Sequence, residues 1–125
     1  APMRKTPWKW LKKYLMNFKV LTVPNFIKEF KHLAKKYPSL KMEYAELVAS
    51  LEKNPFIGTG IGHNFYKIRI SIASKGKGKS GGARIITCIF LKEKEIYLVS
   101  IYDKSEKDSI SNTELKKLID SIGEI

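Results

Sequence analysis

The sequence lacks several features that mark common classes of protein. Cys88 is its single cysteine among 125 residues, so no intrachain disulfide can form, and the histidines and carboxylates show no metal-site spacing. No stretch approaches the roughly 20 apolar residues of a membrane span. Residues 8–15 alternate apolar and basic side chains, which is unlike a secretory signal. These absences favour a reducing, cytoplasmic setting without membrane contact, in which Cys88 is a buried structural thiol.

Acidic residues are also missing from one long stretch of the chain. Residues 53–92 carry eight basic side chains and no aspartate or glutamate, and the whole chain has a net charge of +12. A folded surface with one sign of charge and no partner of its own attracts a polyanion. The lysine-glycine segment 74–82 lies between two predicted strands, which indicates that this polyanion is nucleic acid.

The remaining composition is that of one packed domain. Hydrophobic residues make up 43% of the chain, and we place the domain at residues 16–125. Residues 1–15 form a basic extension with five cations and no acid, and they are a native arm, an upstream start or a fusion remnant. Their apolar side chains suit a short amphipathic helix. Packing of that helix on its own domain is favoured over contact with a membrane or nucleic acid.

Residue periodicity predicts an α+β fold with the order β-α-α-β-β-β-α, in which the helices pack on a small, mostly antiparallel sheet. Alternating or continuous apolar runs predict the strands, over residues 18–23, 65–73, 82–91 and 95–102. The glycine-rich residues 58–62 are interpreted as an irregular turn.

Helical spacing of apolar residues predicts the helices. Residues 24–37 and 40–51 form an antiparallel pair, with Pro24 in the first turn of the first helix. Ser111 and Glu114 have the spacing of a capping box, which predicts that the last helix begins there.

Three cations are predicted to converge on one face of the sheet. Alternation along the second predicted strand puts Lys67 and Arg69 on one face, about 7 Å apart. If that strand pairs with the next across the lysine-glycine loop, Arg84 lies near Arg69 or Ser71. Such a cluster can bracket a phosphate, and neither strand contains an acid to neutralise it.

The loop between these strands has its own predicted role. Lys75, Lys77 and Lys79 are placed at a hairpin tip, from which they reach along a phosphate backbone. A nucleotide-binding P-loop is excluded, because Ala73 stands where that motif requires glycine and a strand follows Ser80 instead of a helix.

His63 is the one histidine near this region. It precedes the second predicted strand in a glycine-rich turn, where it is a possible proton carrier for the cationic cluster. A turn histidine without a chemical role is the favoured alternative. No cofactor and no metal are predicted.

Three segments of the sequence resemble a known family. Residues 64–70 (NFYKIRI), 74–86 (SKGKGKSGGARII) and 98–106 (LVSIYDKSE) resemble the RelE/ParE superfamily of bacterial toxins, with the HigB-like branch closest. The resemblance covers roughly residues 16–119 and implies a RelE-like fold. It implies the toxin of a type II toxin–antitoxin pair, which enters the ribosomal A site and cuts mRNA. It also implies a cognate antitoxin with a helix-turn-helix DNA-binding domain.

The family's site residues carry over in part. Lys67 and Arg69 occupy the place of a Lys-x-Lys pair, and Arg84 matches the next arginine. At and after the last strand, this chain offers Tyr102 and Lys104 for catalysis and Lys107 for RNA binding. A tyrosine of RelE-type toxins in the C-terminal segment has no counterpart, because residues 108–114 contain none.

The implied chemistry needs no metal. The RNA 2′-hydroxyl attacks the adjacent phosphate, and the protein stabilises the developing dianion while it moves two protons. Arg69 and Arg84 suit the dianion, Lys67 is the candidate base, and Tyr102 or Lys104 is the candidate acid. Two alternatives stay open, a ParE-like gyrase inhibitor and a non-catalytic RNA-binding module.

Overall fold

A computed structural model of the chain describes residues 18–76 and 81–123, and these form five strands and three α-helices. The strands are β1 (Lys19–Thr22), β2 (Thr59–Gly62), β3 (Phe65–Ile70), β4 (Ala83–Phe90) and β5 (Glu95–Asp103). The helices are α1 (Pro24–Lys36), α2 (Leu40–Lys53) and α3 (Asn112–Gly123). The predicted α+β class is confirmed. The predictions for residues 1–15, Lys77 and Lys79 lie outside the described residues.

All five strands belong to one sheet, in the order β1-β5-β4-β3-β2. β1 runs parallel to β5, and the other neighbours are antiparallel, so the sheet is mostly antiparallel as predicted. The three central strands β5, β4 and β3 therefore lie side by side. They are the strands that carry the predicted cations.

The edge strand β2 corrects the prediction of an irregular turn at residues 58–62. Thr59 pairs with Lys67, and a two-residue turn of His63 and Asn64 joins β2 to β3. Both turn residues have positive φ, 55° and 65°, as tight hairpins require. Glycine-rich edge strands show little side-chain alternation, so the pairing with β3 decides the structure here.

The core lies between the sheet and the first two helices. Ile68, Ile85 and Ile101 are cross-strand neighbours, and all three are buried. α1 packs against β5 and α2 against β1, which covers this face of the sheet. Each buried isoleucine contributes about 2 kcal/mol through the apolar surface removed from water.

β3 is shorter than the predicted strand over residues 65–73. It ends at Ile70, and a short 3₁₀ turn, Ala73–Lys75, follows. The Ala73 amide donates to Glu43 Oε2 at 2.6 Å, and the Ser74 amide donates to Ser39 Oγ at 3.0 Å. These hydrogen bonds to the start of α2 keep residues 73–75 from continuing β3.

The start of α3 confirms the predicted capping box. The Glu114 amide donates to Ser111 Oγ at 3.1 Å, and the Ser111 amide donates to Glu114 Oε1 at 3.2 Å. The two side chains satisfy backbone donors at the helix start. Across the described ranges, no helix is long and apolar enough to cross a bilayer.

Candidate functional site

Strand register brings the predicted cations together. Arg69 pairs with Arg84, and Arg84 pairs with Tyr102, so the three form one row across β3, β4 and β5. Directly opposed residues project to the same face of a sheet, with Cβ atoms about 5 Å apart. Lys67 lies two residues before Arg69 on β3 and shares that face. We call Lys67, Arg69, Arg84 and Tyr102 the cationic row.

Exposure falls from β3 to β4 along this row. Arg69 is exposed and Lys67 is half-buried, whereas Arg84 is only 4% exposed. The Arg84 Nη1 atom donates to the Ala83 carbonyl at 3.1 Å, which helps to fix the guanidinium. A guanidinium stays charged when buried, and charges interact more strongly away from water. The row therefore has a fixed cation at its centre and an accessible one at its rim.

Tyr102 brings a buried hydroxyl to the end of the row. It is 6% exposed, and its Oη atom has no hydrogen-bond partner among the described residues. Burial raises the pKa of Tyr102, and the charge of Arg84 and the nearby backbone of Ile110 oppose this in part. The phenol therefore keeps its proton at neutral pH. Buried hydroxyls normally have a hydrogen-bond partner, so an unpaired one at this position is unusual.

Lys104 and Lys107 lie at the border of the row in ion pairs with acids of the following segment. Lys104 Nζ binds the Asp108 carboxylate, and Lys107 Nζ binds the Glu114 carboxylate. Lys107 Nζ also stands 5.2 Å from the centre of the Tyr102 ring. Exposed pairs of this kind contribute only about 0–1 kcal/mol, so a phosphate can replace the carboxylates.

Asp108 is a member of the site that sequence reasoning missed. The hydrogen bond from Lys104 lowers its pKa most, and the charges of Lys67 and Arg84 lower it further. An acid thus lies within electrostatic range of the cations, although none lies within β3 or β4. The residue follows β5 in a turn, and only the folded chain brings it near the row.

Lys75 departs from its predicted role. Its Nζ atom binds the buried carboxylate of Asp103, and its side chain is only 8% exposed. A lysine held in a buried ion pair does not reach out to a phosphate backbone. We therefore leave Lys75 out of the RNA-binding set.

His63 lies at the wrong end of β3 for the predicted proton transfer. The carbonyl of Asn64, its neighbour, accepts from the Ile89 amide near the end of β4, whereas Arg84 begins that strand. His63 precedes the start of β3, and the strand from Phe65 to Arg69 alone spans about 13 Å. His63 instead lines a cavity of about 700 Å³ with Phe65 and Cys88.

Cys88 has the structural role expected from sequence. It is buried, and burial raises the pKa of its thiol to about 11. A thiol that keeps its proton is a poor nucleophile. Within residues 18–76 and 81–123, no group of histidine, cysteine, aspartate or glutamate side chains could hold a metal ion.

Together these features describe a small basic α+β domain with a cationic row on one sheet face. A family model described as the RelE toxin of the RelE/RelB toxin–antitoxin system matches residues 25–123. Because this match spans most of the chain, the protein belongs to the RelE toxin family. The HigB-like branch stays a prediction.

A solved structure supports the fold. The chain is similar to an arginine double mutant of the E. coli toxin RelE in the free state, with a TM-score of 0.58 and 12% sequence identity. The likeness covers 85% of this chain and 98% of the other. At this identity it supports the shared fold and carries no residue roles.

Proposed function

We propose that this toxin of a toxin–antitoxin system is an endoribonuclease that cuts mRNA in the ribosomal A site. The observation that carries the proposal is the cationic row, in which buried Arg84 stands between exposed Arg69 and the buried hydroxyl of Tyr102. A fixed cation beside a proton donor is what cleavage at a phosphate needs.

The reaction runs without a metal in this proposal. The 2′-oxygen loses its proton and bonds to phosphorus, the bond from phosphorus to the 5′-oxygen breaks, and that oxygen takes up a proton. The products are a 2′,3′-cyclic phosphate and a 5′-hydroxyl. The protein lowers the barrier by holding the attacking oxygen in line and by neutralising charge on the phosphorane.

Each member of the row has a role in this step. Arg84 and Arg69 bind the non-bridging oxygens, because guanidinium groups offer several donors in one plane. Tyr102 is the candidate acid for the leaving 5′-oxygen, because its phenol is protonated and lacks a hydrogen-bond partner among the described residues. Lys67 is the candidate base for the 2′-hydroxyl, and Lys104 is the alternative acid.

The partners follow from charge. A net charge of +12 favours rRNA and mRNA, and Lys107 at the border of the row is a candidate phosphate contact. The lysines Lys77 and Lys79 stay predictions for the same surface. We propose a cognate antitoxin that neutralises the toxin with an acidic or amphipathic segment, and that carries a helix-turn-helix domain.

A non-catalytic RNA-binding module needs cations but has no use for a buried, unpaired phenol. A ParE-like gyrase inhibitor needs neither. The juxtaposition of Tyr102 and Arg84 therefore favours the nuclease over both alternatives.

The test is cleavage of a translated message by purified protein and ribosomes, read by primer extension. Wild-type protein should produce stops within codons, and Arg84→Ala should cut about 100–1000-fold more slowly. Lys31→Ala is the matched control, since it removes one exposed cation from α1 and should cut normally. Binding to ribosomes without stops would support the RNA-binding module. Inhibition of gyrase in a separate supercoiling assay, without stops, would support the gyrase inhibitor.

A further inference from the structure

Asp103, the last residue of β5, is the most tightly bonded carboxylate in the described part of the chain. It is 1% exposed. Tyr37 Oη donates to it at 2.7 Å, and Ser105 donates through its amide at 2.9 Å and its hydroxyl at 2.7 Å. Lys75 Nζ completes the shell as an ion pair. Burial alone would raise the pKa of Asp103, but these bonds hold it well below its ordinary value, so the group is charged.

Asp103 and the cationic row sit on opposite faces of the same strand end. Asp103 pairs with Ala83, which pairs with Ile70, and this row is buried beneath the helices. Because side chains alternate along a strand, Tyr102 projects to the other face beside Arg84. The contacts that fix Asp103 therefore also fix the β5 backbone that orients Tyr102.

The backbone of Asp103 also holds the turn that follows β5. The amides of Glu106 and Lys107 donate to the Asp103 carbonyl at 3.1 and 3.0 Å, and the Lys104 amide donates to the Gly82 carbonyl at 3.0 Å. Lys104 and Lys107 are the two cations at the border of the row. Their backbone positions are thus set by Asp103 and by the start of β4.

Lys75 connects this strand end to the base of the lysine-glycine loop. It ends the 3₁₀ turn, whose amides donate to Ser39, just before α2, and to Glu43 in the first turn of α2. Lys75 Nζ also donates to Ser105 Oγ at 3.1 Å. One ammonium group therefore joins the loop, the strand and the turn that surround the row.

Stability alone gives a poor account of this pair. Burying two charges costs much of what their attraction returns, and apolar replacements of similar volume are often as stable. A charged pair differs from an apolar one because its hydrogen bonds form in only one relative orientation of the two side chains. That constraint is useful where catalytic groups must be held in fixed positions.

We propose that the Lys75–Asp103 ion pair is a positioning device for the cleavage site. It fixes the end of β5 so that Tyr102 lies against Arg84 and the Lys104–Lys107 turn borders the scissile phosphate. Neither Lys75 nor Asp103 touches the RNA. The inference rests on the proposed nuclease function.

The test separates positioning from stability with two variants of the full chain. Asp103→Asn leaves Lys75 unpaired and should lower both the unfolding midpoint and kcat. The double variant Lys75→Met/Asp103→Asn removes both charges but keeps a side-chain oxygen that accepts from Tyr37 and Ser105, so it should recover the unfolding midpoint. Its kcat should stay about 100-fold below wild type, because small misplacements of reacting groups cost that much. KM for the translating ribosome should change less than threefold in both variants. Lys36→Met/Glu106→Gln is the matched control, because it removes an exposed ion pair nearby and should leave kcat unchanged.

A second measurement does not depend on cleavage. Hydrogen exchange at the Lys104 and Lys107 amides should be faster in the double variant than in wild type. A double variant that cuts at the wild-type rate, or that keeps both amides protected, overturns the positioning role alone. Absence of cutting by the wild-type chain overturns the nuclease proposal and this one with it.

Discussion

One face of the central sheet carries two different surfaces at its two ends. Near the β4–β5 turn, the cross-strand row is Phe65, Cys88 and Tyr97. At the other end, the row is Arg69, Arg84 and Tyr102. The first is apolar, and its β3 and β4 members are buried, whereas the second presents cations.

The two rows share a face because of a bulge. The register between β4 and β5 shifts between Ile86 and Thr87, so that Tyr97 and Tyr102 fall on the same side although they are an odd number of residues apart. Bulges of this kind re-aim side chains and are common near functional sites. The same strand pattern thus buries apolar side chains at one end of the face and places cations at the other.

The largest expected effect is at the apolar end. Phe65 is 1% exposed, so Phe65→Ala should lower the free energy of unfolding by about 3–5 kcal/mol. Cleavage per folded molecule at low temperature should stay near wild type, since Phe65 is about 13 Å along β3 from Arg69. Denaturant unfolding and active-fraction titration measure the two quantities. Loss of cleavage by folded protein would break the division between the two ends.

The next effect tests how closely the cationic end is packed. A Cβ atom at Gly82 would lie 2.0 Å from the Ile70 carbonyl oxygen, so Gly82→Ala must displace β3 or β4. We expect a loss of about 2 kcal/mol or more, accompanied by slower cleavage. Gly60→Ala is the control, because its Cβ would meet Tyr66 at an ordinary 3.6 Å. Equal unfolding free energies for the two variants would contradict the expected clash.

A smaller effect is the pH dependence of the unfolding free energy that Cys88 of the apolar row contributes. The thiol of Cys88 has an ordinary pKa of 9.0 and a folded value of about 11. The folded state therefore holds this proton more tightly, so the stabilisation is complete below pH 9 and is lost as pH rises from 9 to 11. At pH 10 the loss is about 1 kcal/mol. The difference in unfolding free energy between wild type and Cys88→Ala, followed from pH 8 to 10, isolates it, and a constant difference would argue against burial of the thiol.

The smallest effect concerns the exposed rim of the cationic row. Arg69→Ala should change the free energy of unfolding by less than about 0.5 kcal/mol. It should reduce the slope of log binding constant against log salt by about 0.7 for single-stranded RNA, which is one phosphate contact. Lys31→Ala should leave the slope unchanged. An identical slope for all three proteins would remove Arg69 from the binding surface.

Much of the fold could be predicted because side-chain periodicity indicates where its helices and strands lie. The fold class, the capping box at Ser111 and most element positions follow from local pattern. β2 could not be predicted, because Gly60 and Gly62 leave no alternation to detect. The early end of β3 depends on Ser39 and Glu43, which contact it only in the folded chain.

The site was predictable where it depends on hairpin register. Alternation and pairing were enough to bring Arg69 and Arg84 together. The burial of Lys75 in an ion pair depends on Asp103, 28 residues further along the chain, and no local pattern predicts that contact. His63 was misplaced because closeness in sequence to β3 does not say which end of the strand faces Arg84.

The parallel pairing of β1 with β5 bears on how the chain folds. Lys19 lies beside Glu95, so a loop of about 75 residues must close before this edge forms. Pairings distant in sequence slow folding, whereas β3, β4 and β5 are joined in succession and can associate first. We expect substitutions in β1 to speed unfolding and to leave the folding rate nearly unchanged, and stopped-flow kinetics that show slower folding instead would contradict this order. On the ribosome that synthesises it, the chain can close this edge only after β5 has been made.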